Sequence, residues 1–161
     1  MKELDISKGQ VLQRSGDLNT SIFVVKSGLL RSYTIDEKGK EHIFMFAPEG
    51  WIIADSLAAN IPADLFIDAL EDSVVIQKEK VFEDHTHDTT KLLNRLGVLQ
   101  KRIIMLISTP ALDRYEHFIK TYPDIVQRVP QRMVASFLGI TPEALSTVKR
   151  KRQFMQRSGE L

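Results

Sequence analysis

The sequence predicts an α+β chain: a β domain of short strands, one long helix, then a small helical module. Three observations carry this. Turn signals recur roughly every ten residues through 1–82. The apolar spacing then changes to a heptad from about 88 to 108. A capped pair of short helices follows over 129–152.

In the first part the turn signals are Lys8-Gly9, Ser15-Gly16-Asp17, Ser27-Gly28, Asp36 to Gly39, Pro48-Glu49-Gly50, Asn60 to Pro62 and Glu71-Asp72. Between them lie β-branched and aromatic runs: Ile22 to Val25, Leu29 to Ile35, Ile43 to Phe46, Leu65 to Leu70, and Val74 to Gln77. Regular short strands of this kind predict a sandwich or barrel. The charged tip Asp36-Glu37-Lys38-Gly39-Lys40 is a hairpin turn.

In the second part Leu92, Leu96, Leu99, Ile103 and Leu106 recur at heptad spacing, flanked by Leu93, Gln100, Ile104 and Ile107. Such a seam needs a partner surface, either the β domain or a second copy of the helix. Gly97 weakens it by about 1 kcal/mol relative to alanine. Thr109-Pro110 ends this helix. Pro110 to about Tyr122 is amphipathic, with Leu112, Tyr115, Phe118 and Ile119 on one face and Pro123 closing it.

The third part holds the most specific signal. Pro130 and Pro142 each suit a helix start, where a missing N–H costs nothing. Thr141 is a good N-cap. Gly139 falls where the first helix must end in a left-handed turn. Met133, Val134, Phe137 and Leu138 form one apolar face; Ile140, Leu145 and Val148 form the facing one. This is the pattern of a helix-turn-helix, whose second helix enters the DNA major groove. A helical hairpin that only packs is the simpler alternative.

Charge supports the first reading. The net charge of +1 hides an asymmetry. Residues 1–90 carry 9 Lys and Arg against 16 Asp and Glu, a net −7. Residues 91–128 carry 7 against 3, and 129–161 carry 6 against 2, each a net +4. A basic end beside a helix-turn-helix is what phosphate contact requires. The chain has 161 residues and no cysteine, which excludes disulfides and cysteine-ligated zinc or iron–sulfur sites. That fits a cytoplasmic location. No apolar run approaches membrane-spanning length, and the N-terminus has no signal-peptide core.

The order of these parts resembles the Crp/Fnr family of bacterial transcription regulators. Phe23-Val24-Val25-Lys26-Ser27-Gly28-Leu29-Leu30-Arg31 is similar to the first hairpin of a cyclic-nucleotide-binding β-roll, a jelly-roll, and Ala69-Leu70-Glu71-Asp72-Ser73-Val74-Val75 to its last strands. Val129-Pro130-Gln131 and Leu138 to Ser146 resemble the helix-turn-helix of relatives that keep the fold without the nucleotide. The resemblance implies an N-terminal β-roll over 1–87, a dimerisation helix over 88–108 and a DNA-binding domain over 109–161. It implies a homodimeric, non-enzymatic regulator of double-stranded DNA with RNA polymerase as a further partner; any small-molecule effector stays unidentified. The family's N-terminal helical segment looks short or absent, and a β-wing after Arg152 is not expected.

Departures from the family pattern bear on mechanism. Nucleotide-binding members hold the ribose with Gly-Glu and the cyclic phosphate with Arg. Here Gly50 is followed by Trp51, and the Arg position falls near Ala63, with no Arg or Lys from Ala58 to Phe66. A buried phosphate without a cation is costly. Gly50, Trp51 and Ala63 mark a candidate ligand pocket that is not expected to bind cyclic AMP or cyclic GMP. Trp51 either fills it or belongs to the core. No cofactor is expected. His42, His85, His87 and His117 match no family haem motif, and His85-x-His87 suits a polar linker as well as a metal site. A cupin-like metal enzyme built on His42 is one alternative function; a β-roll interaction module with a degenerate helix-turn-helix is another.

Family base-reading positions fall on Pro142, Glu143 and Thr147. Glu143 suits a cytosine amino group or simply the helix dipole. Thr147 stands where relatives often carry Arg. Ser146 and Thr147 remain able to contact base edges or phosphate, while Lys149, Arg150 and Arg152 suit phosphates. Gln131 and Arg132 suit the backbone near their helix start. With the N-cap Thr141, these ten residues form the candidate DNA-binding set, and Leu92, Leu96, Leu99, Ile103 and Leu106 the candidate dimerisation set.

Overall fold

The computed structural model describes residues 1–55, 60–80 and 89–159, without the side chains of residues 89–92 and 95. Two compact units result, Met1–Glu83 and Asp84–Leu161.

The first unit contains eight strands: β1 (Lys2–Ile6), β2 (Val11–Gln13), β3 (Ser21–Ser27), β4 (Leu30–Ile35), β5 (Glu41–Ala47), β6 (Ile52–Ile53), β7 (Phe66–Ala69) and β8 (Ser73–Glu79). They form two four-stranded antiparallel sheets, ordered β1-β8-β3-β6 and β2-β7-β4-β5. Consecutive strands repeatedly change sheet, which gives the rolled arrangement. The core contains Ile6, Phe23, Val25, Leu30, Ala47, Ile53, Ile67, Ala69 and Val75, with Leu4, Leu12, Met45 and Trp51 packed at its margin. Alternation explains it: Phe23 and Val25, or Ile67 and Ala69, fall two apart and so share one face.

The β4–β5 hairpin closes as its sequence suggests. The Asp36 amide donates to the Lys40 carbonyl at 3.0 Å, and Asp36 Oδ1 accepts from the amides of Lys38 and Lys40, each at 2.9 Å. His42 Nε2 lies 2.8 Å from Asp36 Oδ2, so His42 is tied to the turn.

In β4 the alternation fails, because Leu30, Arg31, Ser32 and Tyr33 are all buried. Arg31 is only 6% exposed. Register places it directly opposite Asp68 of β7. Its Nε donates to Asp68 Oδ1 at 2.8 Å and its Nη2 to Oδ2 at 2.9 Å, a bidentate pair. Its other edge bonds Glu41, and the guanidinium lies 4.1 Å from the centre of the Tyr33 ring. Burial alone favours loss of the proton. The bonds and charges of Asp68 and Glu41 outweigh this and hold the pKa above the ordinary arginine range.

The second unit is helical: α1 (Thr89–Ser108), α2 (Ala111–Thr121), α3 (Ile125–Arg128), α4 (Gln131–Leu138) and α5 (Pro142–Ser158). Its core joins Tyr115, Phe118, Tyr122, Ile125, Val134, Phe137, Leu138 and Leu145. Phe118, Tyr122 and Phe137 pack mutually, with ring centres 5.2–5.6 Å apart. Burial pushes the Tyr122 hydroxyl up to about 12. Among the described residues no helix is long and apolar enough to cross a membrane.

Candidate nucleic-acid interface

The α4–α5 pair forms as its capping residues dictate. Gly139 has φ 65°, the left-handed conformation that favours glycine, and its amide bonds the carbonyls of Ala135 and Ser136. Thr141 is the N-cap of α5: its hydroxyl accepts from the Ala144 amide at 3.2 Å. Pro142 occupies the first turn of α5, while Pro130 precedes α4. Met133, Val134, Phe137 and Leu138 are buried, as are Leu145 and Val148; Ile140 is half-buried.

Burying Leu145 and Val148 fixes which side of α5 faces out. Glu143, Ser146, Thr147 and Arg150 are exposed and share one face by their three- and four-residue spacing. Phe154, 70% exposed, and Arg157 continue that face. The hydroxyls of Ser146 and Thr147 donate to the Pro142 and Glu143 carbonyls of their own helix, at 3.0 and 3.1 Å. Their remaining lone pairs point them toward accepting rather than donating. The Glu143 carboxyl is held below the usual range, first by its own backbone amide and then by the Thr141 hydroxyl, so it stays ionised. Gln131, Arg132, Thr141 and Pro142 are exposed and Lys149 is half-buried.

Arg152 lies elsewhere. It follows Leu145 and Val148 on the inner side of α5, and its Nε donates to Glu116 Oε1 of α2 at 2.6 Å. Its head group thus ties α5 to α2. Phe154 and Arg157, absent from the sequence-based set, stand on the exposed face because α5 continues unbroken to a left-handed cap at Gly159, φ 75°.

The α1 helix has two distinct sides. Leu99, Arg102, Met105 and Leu106 are half-buried, and Leu106 Cδ2 lies 3.7 Å from where a β-carbon on Gly139 would stand. Leu93, Leu96, Gln100, Ile103 and Ile107 are exposed, Ile107 by 79%, with Ile104 beside them. The predicted seam therefore divides: Leu96 and Ile103 belong to the outer stripe, whereas Leu99 and Leu106 turn toward the helical unit. The side chain of Leu92 lies outside the described residues.

In the β-roll, Gly50 has φ 81° and its amide bonds the Val25 carbonyl at 2.9 Å. Trp51 is half-buried against the core. Ala63 is buried, and its amide and carbonyl are both taken by backbone groups, of Asp17 and Gly16. Residues 56–59 of the intervening segment, Ala58 included, and His85 and His87 lie outside the described residues. Among the described residues no three His, Cys, Asp or Glu side chains are grouped to hold a metal ion.

The described residues thus place a β-roll ahead of a helix-turn-helix along the chain. The cyclic nucleotide-binding domain family matches residues 3–81. The chain is 28% identical to the anaerobic regulatory protein of Aggregatibacter actinomycetemcomitans, over 88% of this chain and 63% of that one. It is 27% identical to the fumarate and nitrate reduction regulatory protein of Vibrio cholerae, over 88% and 64%. The chain thus spans less than two thirds of the first curated relatives it matches. In fold it is similar to FixK2 from Bradyrhizobium japonicum (TM-score 0.78, 18% identity, 98% of this chain and 85% of that one). It is also similar to TTHA1359 of Thermus thermophilus, a transcriptional regulator of the CRP/FNR family (TM-score 0.69, 16% identity, 98% and 87%). In sequence and in fold the chain is thus similar to regulators of the Crp/Fnr family. The two curated relatives are regulatory proteins by name, and TTHA1359 is a transcriptional regulator.

Proposed function

We propose that this chain is a sequence-specific DNA-binding transcription regulator. It acts as a homodimer paired through α1, each subunit presenting α5 to one half of a two-fold DNA site. The observation that carries the reading is the capped α4–α5 pair with Glu143, Ser146, Thr147 and Arg150 on one exposed face. The net +4 of residues 129–161 supports phosphate contact. The curated relatives, regulatory proteins by name, support the regulator role. A cytoplasmic location and RNA polymerase as a further partner belong to the same reading.

The second copy is supported by the outer stripe of α1. Leu93, Leu96, Gln100, Ile103 and Ile107 alternate at three and four residues, the spacing of a coiled-coil seam. Gln100 sits at its centre, where a polar residue sets register at a cost in stability. Ile103→Glu places like charges across the dyad. Sedimentation is expected to show a monomer, and affinity for a two-fold duplex is expected to fall about 100-fold or more as the second contact is lost. An unchanged dimer with wild-type affinity would refute the α1 assignment.

The β-roll is read as unresponsive to cyclic AMP. Trp51 stands where the family's ribose-binding Glu would be, and Ala63 near the Arg position. Arg31, the buried cation among the described residues of the roll, is already engaged by two carboxylates. Arg150→Ala is expected to weaken binding to all duplexes alike and to reduce the salt slope by about one. Titration against specific and unrelated duplexes checks this; lost sequence preference at unchanged general affinity would contradict the phosphate role.

A second reading, an interaction module that no longer reads DNA, draws on Ser146 and Thr147, whose hydroxyls donate into their own helix. Absence of salt-dependent duplex binding would select it.

A further inference from the structure

Arg102 occupies the inner side of α1, one residue before Ile103 of the outer stripe. Its guanidinium lies 4.1 Å from the centre of the Phe137 ring. Phe137 belongs to the last turn of α4, two residues before Gly139, where the chain turns into α5. Leu106, one turn further along α1, packs at Gly139 itself. Arg114 of α2 donates from Nη1 to the Leu138 carbonyl at 3.0 Å and from Nε to the Thr109 carbonyl at 2.8 Å. Groups from α1 and α2 thus converge on the last turn of α4 and the glycine turn after it. That turn sets the direction of α5.

Packing alone does not call for an arginine here. Burial favours the neutral form of Arg102, so holding a cation in this place costs free energy that Leu or Met would not. A guanidinium plane over an aromatic face gives a directional contact in return, restricting the angle between the elements that carry it. Apolar contact is non-directional.

We infer that Arg102 is a positioning residue: by its stack on Phe137 it fixes α5 relative to α1, and so fixes the separation and angle of the two reading helices in the dimer. The functional half of this statement rests on the DNA-binding homodimer proposed above; the geometric half does not. One side of α1 serves the second copy and the other serves the turn of the helix-turn-helix, so displacement of either is transmitted to the other.

The test has a readout that needs no DNA. The chain has no cysteine, so Val98→Cys and Gln153→Cys, both at exposed positions of α1 and α5, accept spin labels uniquely. Dilution with unlabelled chain restricts the measurement to distances within one subunit. The parent is expected to give a narrow distance distribution. Arg102→Ala and Phe137→Leu are each expected to broaden it, and Arg102→Lys, which keeps the charge without the plane, to broaden it partly. On a duplex with two half-sites Arg102→Ala is expected to lose about tenfold in affinity, with dimer mass and affinity for a single half-site held within about twofold. An unchanged distance width overturns the inference, as does an equal loss on single and paired half-sites, which makes Arg102 a residue of helix-turn-helix stability alone. If Arg102→Ala does not fold, Arg102→Lys decides on the same criteria. A parent that binds no duplex removes the DNA-binding reading, while the distance width still decides the role of Arg102.

Discussion

Arg31→Met is expected to destabilise the β-roll by about 3–5 kcal/mol, because it leaves Asp68 buried without its cation. Asp68 is 7% exposed and faces Arg31 across the β4–β7 ladder. The bidentate pair lies where water cannot replace the lost partner. Denaturant unfolding followed by Trp51 fluorescence checks this, since Trp51 is the chain's single tryptophan and packs at the margin of the roll's core. Replacing both partners, Arg31→Met with Asp68→Leu, is expected to recover much of the loss, since no buried charge is then left alone against β7. A loss below about 1 kcal/mol in the single variant would show the pair to be solvated like a surface one.

Gly28→Ala is expected to cost about 3 kcal/mol or more, combining a left-handed backbone with a steric clash. Gly28 has φ 87°, and an added β-carbon would stand 2.2 Å from Ser73 Oγ, 2.6 Å from the Asp72 carbonyl oxygen and 2.7 Å from Ser73 Cα. The backbone of β8 cannot yield cheaply, and Ser73 Oγ also accepts from the Leu29 amide at 3.2 Å. Gly39→Ala is the control. Its φ is 76° with nothing within 4 Å of the added carbon, so only the backbone cost of about 1–2 kcal/mol remains. Equal losses at the two positions, read by the same unfolding measurement, would remove the steric account.

These two sites show where sequence reading stops. Gly28 is legible as a turn glycine between two strands, but the closeness of β8 is a long-range fact. Arg31 in a strand reads as solvent-facing, and only the register that sets it against Asp68 shows why it is buried. Strands β3, β4, β5, β7 and β8 were legible because they are apolar runs bounded by turn residues. β1, with exposed Lys2 and Glu3, and the two- and three-residue strands β6 and β2 carry too few apolar positions to show a period. α3, four residues long, escapes for the same reason.

The turn of the helix-turn-helix and the start of α5 were legible, because Gly139, Thr141 and Pro142 act through local backbone geometry; the run of α5 past Arg152 to Ser158 was not. The side-chain assignments around it were less so. In α1 two apolar sides lie close enough that a heptad drawn from sequence joins members of both, Leu96 and Ile103 with Leu99 and Leu106. Arg152 was legible in principle: Leu145, Val148 and Arg152 follow at three and four residues, which places it on the inner side of α5. The Arg102–Phe137 stack joins residues 35 apart, and no local pattern announces it.

The measurement that tests the central claim most directly is selection of duplexes from a random library by the purified chain, followed by affinity against salt concentration. The account predicts enrichment of a palindromic consensus with half-sites about one helical turn apart and a steep fall of affinity with salt. Recovery of no common sequence, with binding no tighter than to random duplex at every salt concentration, would contradict it.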